Sequence, residues 1–143
     1  MGISRPATAH WEGDLKSGKG SISTPQSGLL SDTPYGFNSR FGDQKGTNPE
    51  ELIAAAHAGC FSMAFSAELG KAGITPESIN TTAVVTLEKT DAGFTVTKSH
   101  LDVTAKIPGA DQTKALEIAN AAKAGCPISR LLKCTITMDA KIN

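Results

Sequence analysis

The spacing of hydrophobic and polar residues divides the chain into a turn-rich first part, one long apolar stretch and an alternating second part. The first part contains three short strand candidates, at residues 9–12, 20–24 and 28–31, separated by glycine-rich turns. A loop over residues 34–46 follows them.

The apolar stretch begins with a strong helix start signal. Asn48 is placed as the N-cap, Pro49 takes the first helical position, and Glu51 is placed to complete a capping box. We expect the helix to run to about residues 71–72 and to stop at Gly73. Nearly every position is apolar or small, so no face of the helix suits water. A sheet of the same chain and a second subunit are therefore expected to cover it.

The alternating part predicts a hairpin, a second helix and a last strand. The hairpin turn falls at residues 90–93, and a change of apolar phase in the return strand predicts a bulge near residues 98–100. The second helix is predicted over about residues 111–125, with a short helical turn that begins at Pro127. Residues 134–142 then alternate as the last strand.

Length and charge narrow the classes of protein that fit. A chain of 143 residues predicts a single domain, 1–143, with a core that needs no disulfide or structural metal. The 14 basic residues balance the 14 acidic ones, so no excess charge favours nucleic acid or an anionic membrane. The N-terminal segment has no signal-like apolar run, and we expect no membrane span of about 20 apolar residues. The expected location is the cytoplasm, with small molecules or other proteins as partners.

The cysteines provide the clearest candidate chemistry. Cys60 lies inside the long apolar helix, whereas Cys126 directly precedes the proline of the short helical turn. A buried thiol given a nearby cation becomes a thiolate nucleophile, and a second thiol at a helix start is suited to capture its oxidised form. Two unrelated core cysteines are the alternative. Cys134 falls on the apolar face of the last strand, which predicts packing.

A thiolate in the middle of a helix needs a cation from elsewhere, because the helix dipole acts only near the first turn. Arg40 in the preceding loop is the candidate cation, and Glu50 in the first helical turn is the candidate carboxylate that holds it. A surface arginine and a dipole-compensating glutamate are the alternative. His57 lies one turn before Cys60 and is either a base or a buried, hydrogen-bonded histidine. A zinc site of His57, Cys60, Cys126 and Cys134 is not favoured, because their spacing matches no common structural zinc site.

Several short segments combine into a more specific motif. They are the run Lys45–Leu52, the Ala-His-Ala-Gly-Cys-Phe segment that contains Cys60, and the Gly-Cys-Pro turn at Cys126. The segments 10–13 and 34–38 fit as well. Over essentially its whole length the chain resembles the OsmC branch of the OsmC/Ohr family of thiol peroxidases. The resemblance implies an α+β fold, an intertwined homodimer whose long central helices pack between antiparallel β-sheets.

The resemblance also implies a role for each candidate residue. Cys60 matches the peroxidatic cysteine and Cys126 the resolving cysteine, while Glu50 positions Arg40; Arg5 is the alternative arginine. The implied reaction converts an organic hydroperoxide to an alcohol and Cys60 to a sulfenic acid, which Cys126 then converts to a disulfide. An external dithiol, of lipoyl type, is implied as the reductant. No metal, flavin or haem is implied.

Two functions of other classes remain open from the sequence. A small-molecule binding module with the same fold would keep an apolar pocket but would lose no thiols on exposure to peroxide. A thiol-disulfide exchange protein would use Cys60 and Cys126 on protein disulfides, although such proteins commonly carry a Cys-x-x-Cys motif. Cys134 lies only eight residues after Cys126, so a disulfide between these two cysteines, outside the implied reaction, also remains open.

Overall fold

The turn-rich part of the chain forms the first sheet. The computed structural model describes residues 2–143. This sheet contains β1 (Thr8–Glu12), β2 (Lys19–Ser23) and β3 (Thr33–Tyr35), paired antiparallel in that order. The first two predicted strands are therefore confirmed.

Residues 28–31 form a loop and not the predicted third strand. Gly28 has a φ of 70° and Asp32 a φ of 47°, and both values lie outside the strand region. The loop folds back on Thr24, whose hydroxyl accepts a hydrogen bond from the Leu30 N–H at 2.9 Å. The prediction of a strand at this place was wrong because residues in the left-handed region begin and follow the segment.

A short helix, α1 (Phe37–Phe41), occupies part of the loop predicted over residues 34–46. The Ser39 hydroxyl donates a hydrogen bond to the Thr47 carbonyl at 3.0 Å, which connects this helix to the segment before the long helix. Arg40 therefore lies on a helix, in contrast to the prediction of a loop.

The long helix, α2 (Pro49–Lys71), begins and ends as predicted. The Asn48 side-chain oxygen accepts a hydrogen bond from the Glu51 N–H at 2.8 Å, which confirms the N-cap. At the other end, Gly73 has a φ of 76°, a conformation that lets the chain turn away after the last helical residue.

Within one chain, α2 buries a single stripe of side chains. The buried residues recur every four positions and are His57, Phe61, Phe65 and Leu69. By length and composition α2 is apolar enough to cross a membrane, which corrects the expectation that no such stretch exists. Core helices of soluble proteins meet the same criterion, so this property alone does not indicate a membrane protein.

The second sheet combines antiparallel and parallel pairing. Strand β4 (Ser78–Thr90) pairs antiparallel with β5 (Gly93–Lys106), whereas β6 (Thr135–Ile142) pairs parallel with β5. The expectation of antiparallel sheets is therefore wrong for β6. Two helices, α3 (Gln112–Gly125) and α4 (Pro127–Leu131), lie between β5 and β6 in the chain and form the long crossover that a parallel pair requires.

The hairpin of β4 and β5 contains the predicted bulge at a slightly different place. Thr86 pairs with Lys98 and Leu87 pairs with Val96, so Thr97 is the extra residue. It lies one residue before the predicted segment. The predicted change of apolar phase is confirmed, because one extra residue moves the following side chains to the other face.

The core forms between α2, α3 and the second sheet. Helix α3 contributes only alanines among its fully buried residues, Ala115, Ala119 and Ala122, and such small side chains allow close packing. The other buried apolar core residues are Phe61, Phe65, Leu69, Leu101, Val103, Ala105, Ile107, Cys126 and Ile142. The contacts divide the chain into two compact units, the residues up to Leu52 and Ile53–Asn143. The single domain over residues 1–143 stays a prediction.

Candidate active site

The structure places the Cys60 and Cys126 thiols close together, near enough for Cys126 to act on the ionisation of Cys60. Cys60 lies in the middle of α2 and is half-buried, whereas Cys126 is the fully buried N-cap residue of α4. The backbone N–H of Ile128, in the first turn of α4, donates a hydrogen bond to the Cys60 sulfur. All three cysteines of the chain are free thiols. Two residues that are far apart in the sequence therefore form one thiol pair.

The surroundings of Cys60 favour the neutral thiol. Burial raises the pKa of Cys60 above its ordinary value, and the neighbouring Cys126 thiol raises that pKa further. The Ile128 N–H acts in the opposite direction because it stabilises the thiolate, but its effect is smaller than that of burial. A reactive thiolate at Cys60 therefore needs a positive charge in addition to the groups that surround the thiol pair.

Arg40 and Glu50 form the predicted ion pair. Arg40 Nε lies 2.8 Å from Glu50 Oε1, and Arg40 Nη2 lies 3.0 Å from Glu50 Oε2. The contact is bidentate, the geometry that fixes both the position and the plane of a guanidinium group. The Glu50 side chain is 12% exposed and the Arg40 side chain 35% exposed. Three N–H bonds of the guanidinium group point outside this pair and can contact an anion.

Hydrogen bonds between α1 and the start of α2 hold the ion pair together. The Asn48 side-chain amide donates to the Ser39 carbonyl at 3.2 Å, next to Arg40 in the chain. The same Asn48 side chain caps α2, which carries Glu50 in its first turn. One asparagine therefore connects both partners of the ion pair. The assignment of Arg40 to the Cys60 thiolate stays a prediction.

His57 does not have the geometry of a base for Cys60. Its Nδ1 lies 2.7 Å from the Ser99 hydroxyl, and its Nε2 lies 2.7 Å from the Ser129 hydroxyl. Both ring nitrogens are therefore occupied, and the ring is fully buried. Burial also lowers the pKa of His57, which favours the neutral ring. Of the two interpretations from the sequence, the structure supports the buried, hydrogen-bonded histidine.

Neither serine partner of this histidine was predicted from the sequence. Ser99 lies on the same face of β5 as three buried apolar residues, Leu101, Val103 and Ala105. A polar residue at an apolar position of a strand is a usable signal, because buried hydroxyls need a hydrogen-bond partner. Ser129 gives no comparable signal, since it is half-buried on a helix too short to show a period.

Cys134 lies outside the thiol pair. It is half-buried directly before β6, and the Ser99 N–H donates a hydrogen bond to its sulfur. It also lines a surface depression of about 520 Å³ together with Leu132 and Thr135. The prediction that Cys134 lies in the core is therefore wrong in degree, because Cys134 is half-buried and is not among the residues packed against the core.

An alternative arginine and a metal site were also considered from the sequence. Arg5 is exposed near the start of the chain, and its side chain donates to the neighbouring Ser4 carbonyl at 3.1 Å. No cluster of three or more histidine, cysteine or acidic side chains suited to a metal ion occurs in the part of the chain that the structure describes.

Comparison with known proteins gives a consistent family assignment. The family model of OsmC-like proteins matches residues 42–141. The chain is 56% identical to peroxiredoxin OsmC of Escherichia coli (strain K12) over 142 residues, which are 99% of both proteins. The crystal structure of the organic hydroperoxide resistance protein OhrB of Bacillus subtilis is similar with a TM-score of 0.68 and 26% identity, over 96% of this chain and 98% of that one.

A second solved structure agrees with this result. An organic hydroperoxide resistance protein OsmC from Legionella pneumophila has a TM-score of 0.66 and 25% identity, over 99% of both chains. The chain therefore belongs to the OsmC family, and the resemblance found in its sequence is confirmed.

Proposed function

We propose that this protein is a thiol peroxidase that reduces organic hydroperoxides to alcohols. The observation that carries the proposal is the contact between the Cys60 and Cys126 thiols. Two thiols in contact can form a disulfide once one of them is oxidised. The names of the related proteins, peroxiredoxin OsmC and organic hydroperoxide resistance protein, support the reaction and the substrate class.

The proposed reaction begins at Cys60. Its thiolate attacks the distal oxygen of the hydroperoxide, so an S–O bond forms while the O–O bond breaks. The leaving alkoxide takes up a proton and departs as the alcohol, and Cys60 becomes a sulfenic acid. Cys126 then attacks the sulfur of the sulfenic acid. The S–O bond breaks, the hydroxyl group leaves as water with the Cys126 proton, and a Cys60–Cys126 disulfide remains.

Arg40 is the cation that we assign to the Cys60 thiolate. A cation is needed to stabilise the thiolate because burial raises the pKa of Cys60. A guanidinium held at two points by Glu50 can stabilise both the thiolate and the negative charge that develops on the leaving oxygen. The assignment holds whichever subunit of the proposed dimer supplies the arginine.

An external dithiol completes the proposed cycle. One of its thiolates attacks a sulfur of the disulfide to give a mixed disulfide, and its second thiolate then releases the protein as a dithiol. The two electrons that reduce the hydroperoxide therefore come from this reductant, for which the family resemblance suggests a lipoyl-type group. Every step balances with thiols, hydroperoxide and dithiol, so the proposal requires no metal or organic cofactor.

A homodimer is the proposed assembly, and the cytoplasm its proposed location. The face of α2 opposite the core is exposed in the single chain and consists of small or apolar residues, Ala56, Gly59, Met63, Ala67 and Gly70. A Cβ atom at Gly59 or Gly70 would meet no atom within 4 Å, so this face has room for another helix. Sedimentation should give twice the chain mass of 14.8 kDa, and Met63→Lys should shift the protein toward monomer.

Two variants test the assignment of the cysteines. Cys60→Ser should abolish consumption of an organic hydroperoxide, because the nucleophile is lost. Cys126→Ser should consume about one equivalent of hydroperoxide and then accumulate oxidised Cys60, as detected by mass spectrometry. Equal residual turnover of the two variants with a dithiol reductant would contradict the roles.

The same measurement separates the alternatives from the proposal. A binding module would keep all of its free thiols after treatment with one equivalent of hydroperoxide. An exchange protein would oxidise its thiol pair with a disulfide substrate but would not produce an alcohol. The peroxidase should lose two thiols for each alcohol formed.

A further inference from the structure

The thiol contact is not the only side-chain connection between α2 and α4. His57 on α2 reaches Ser129 on α4 through Nε2 and Ser99 on β5 through Nδ1, each at 2.7 Å. His57 and Ser99 are fully buried. Because both ring nitrogens are used, the orientation of the imidazole ring is fixed. One side chain therefore joins three elements of the structure.

The His57–Ser129 hydrogen bond and the contact between the two thiols are separated by the same number of residues on α2 and on the segment that contains α4. His57 lies three residues before Cys60, and Ser129 lies three residues after Cys126. Three residues are about one helical turn, so His57 and Cys60 lie near one another on the surface of α2. The two contacts are thus adjacent connections between the same two segments of chain.

Helix α4 depends on such connections for its position. It contains only Pro127–Leu131, and a helix of this length is not stable through its own hydrogen bonds. Ile128 packs against the core, but apolar packing is non-directional and does not by itself fix a rotation. A hydrogen bond is directional. Cys126 joins the two helices, as the C-cap of α3 and the N-cap of α4, so a rotation or shift of α4 about this junction can move the Cys126 sulfur relative to Cys60.

We infer that His57 and Ser129 are positioning residues for the resolving step, an inference that rests on the proposed peroxidase function. In that step the Cys126 sulfur forms a bond with the Cys60 sulfur, and the hydroxyl group of the sulfenic acid leaves as water. The His57–Ser129 hydrogen bond holds α4 so that the Cys126 sulfur stays beside Cys60. It therefore acts through the effective concentration of the attacking thiol and not through proton transfer.

Ser129→Ala tests the inference in a single turnover. Reduced protein is mixed rapidly with one equivalent of an organic hydroperoxide, and hydroperoxide consumption and disulfide formation are followed separately. Disulfide formation should be about five- to tenfold slower than in the unaltered protein, the loss expected for one hydrogen bond. Consumption of the hydroperoxide should keep its rate. Excess hydroperoxide should give more Cys60 sulfinic acid, because the sulfenic acid persists longer.

Ser62→Ala is the matched control. It is the same substitution on α2, and it deletes the hydrogen bonds of the Ser62 hydroxyl to the Ala58 carbonyl (2.8 Å) and to the Thr81 hydroxyl (2.7 Å), neither of which involves α4. Both rates should be unchanged in this variant. Equal slowing of disulfide formation in Ser62→Ala and Ser129→Ala would overturn the inference, because it would indicate a general loss of rigidity.

Conservative variants test which side of the histidine matters. Ser129→Thr keeps a hydroxyl group and should restore disulfide formation. A glutamine amide at position 57 reaches about as far as Nε2, and an asparagine amide about as far as Nδ1. His57→Gln should therefore resolve faster than His57→Asn, which retains the Ser99 side only. Equal rates in these two variants, or a normal rate in Ser129→Ala, would contradict the role of the Ser129 connection.

A measurement without hydroperoxide separates this inference from the proposed function. The equilibrium between the Cys60–Cys126 dithiol and its disulfide is determined against reduced and oxidised dithiothreitol. Ser129→Ala should lower the equilibrium constant for disulfide formation by about the same five- to tenfold factor. Loss of this effect in an active peroxidase would overturn only the inference. An unaltered protein that forms the disulfide here but consumes no hydroperoxide would overturn only the proposed function.

Discussion

The thiol pair and the Arg40–Glu50 pair are built by different means. Cys126 and His57 are fully buried in the compact unit Ile53–Asn143. By contrast, none of the described residues from Gly2 to Leu52 is fully buried, and the ion pair is held by hydrogen bonds between short segments. Burial in these surroundings raises the pKa of Cys60. The buried groups that surround the Cys60 thiol therefore differ from the arginine that we propose as the cation for its thiolate.

The difference follows from the physics of each group. A cysteine behaves as a small apolar residue and is readily placed in a core. A charged arginine is costly to bury unless a carboxylate and hydrogen bonds compensate it, so a partly exposed site with a bidentate partner suits it. The proposed chemistry needs both, and it therefore draws on two regions that differ in burial.

Leucine truncation in the two regions should give the largest contrast. Leu69 is fully buried and Leu29 is 84% exposed. Leu69→Ala should lower the free energy of unfolding by about 3 kcal/mol, because it removes core contacts and leaves a cavity. Leu29→Ala should change it by less than about 0.5 kcal/mol. Denaturant unfolding gives both values, and similar losses in the two variants would refute the contrast.

Removal of the asparagine that joins α1 to α2 should have an intermediate effect. Asn48→Ala deletes the N-cap of α2 and the hydrogen bond to Ser39, and should lower the free energy of unfolding by about 1 kcal/mol. Asn120→Ala is the control, since Asn120 is exposed within α3 and should change stability by less than about 0.5 kcal/mol. Asn48→Ala should also reduce peroxidase activity because Arg40 loses its support. Normal activity together with the expected loss of stability would show that Asn48 stabilises α2 as its cap without supporting the Arg40–Glu50 pair.

The third thiol should show the smallest effect. Cys134→Ala should lower the free energy of unfolding by less than about 1 kcal/mol, because Cys134 is half-buried and lies outside the core. Turnover should stay close to that of the unaltered protein. The same change at fully buried Cys126 should cost more stability. A large fall in turnover for a folded Cys134→Ala protein would show that this thiol takes part in the cycle.

Local signals in the sequence predicted the helices more closely than the sheets. The Asn-Pro start and the Gly73 stop give the limits of α2 because caps depend on residues that are close together in the chain. The parallel pairing of β6 was not predictable in this way. It depends on the crossover through α3 and α4, and no residue of β6 encodes its direction.

The candidate site shows the same division. The Arg40–Glu50 pair agrees with the expectation from the two residue types, and the proximity of Cys60 and Cys126 agrees with what the family resemblance implies. The Ser129 partner of His57 was missed, since a contact between residues 72 positions apart leaves no local pattern. The strand predicted at residues 28–31 failed for a local reason, the left-handed conformation of Asp32, which a non-glycine residue seldom adopts.

The central claim is that Arg40 supplies the charge that the buried surroundings of Cys60 lack. The pH dependence of Cys60 alkylation tests it directly, in a protein without Cys126 and Cys134. Arg40→Met keeps much of the side-chain stem and removes the charge, whereas Glu50→Gln keeps the charge and removes its holder. Arg5→Met is the control arginine.

We expect the midpoint pH of Cys60 alkylation to be higher in Arg40→Met than in the protein that retains Arg40. Burial then raises the pKa of Cys60 without an opposing cation, so less thiolate is present at neutral pH. Glu50→Gln should move the midpoint less than Arg40→Met, and Arg5→Met should leave it unchanged. An unchanged midpoint in Arg40→Met, together with a raised midpoint in Arg5→Met, would contradict the account and assign the charge to Arg5.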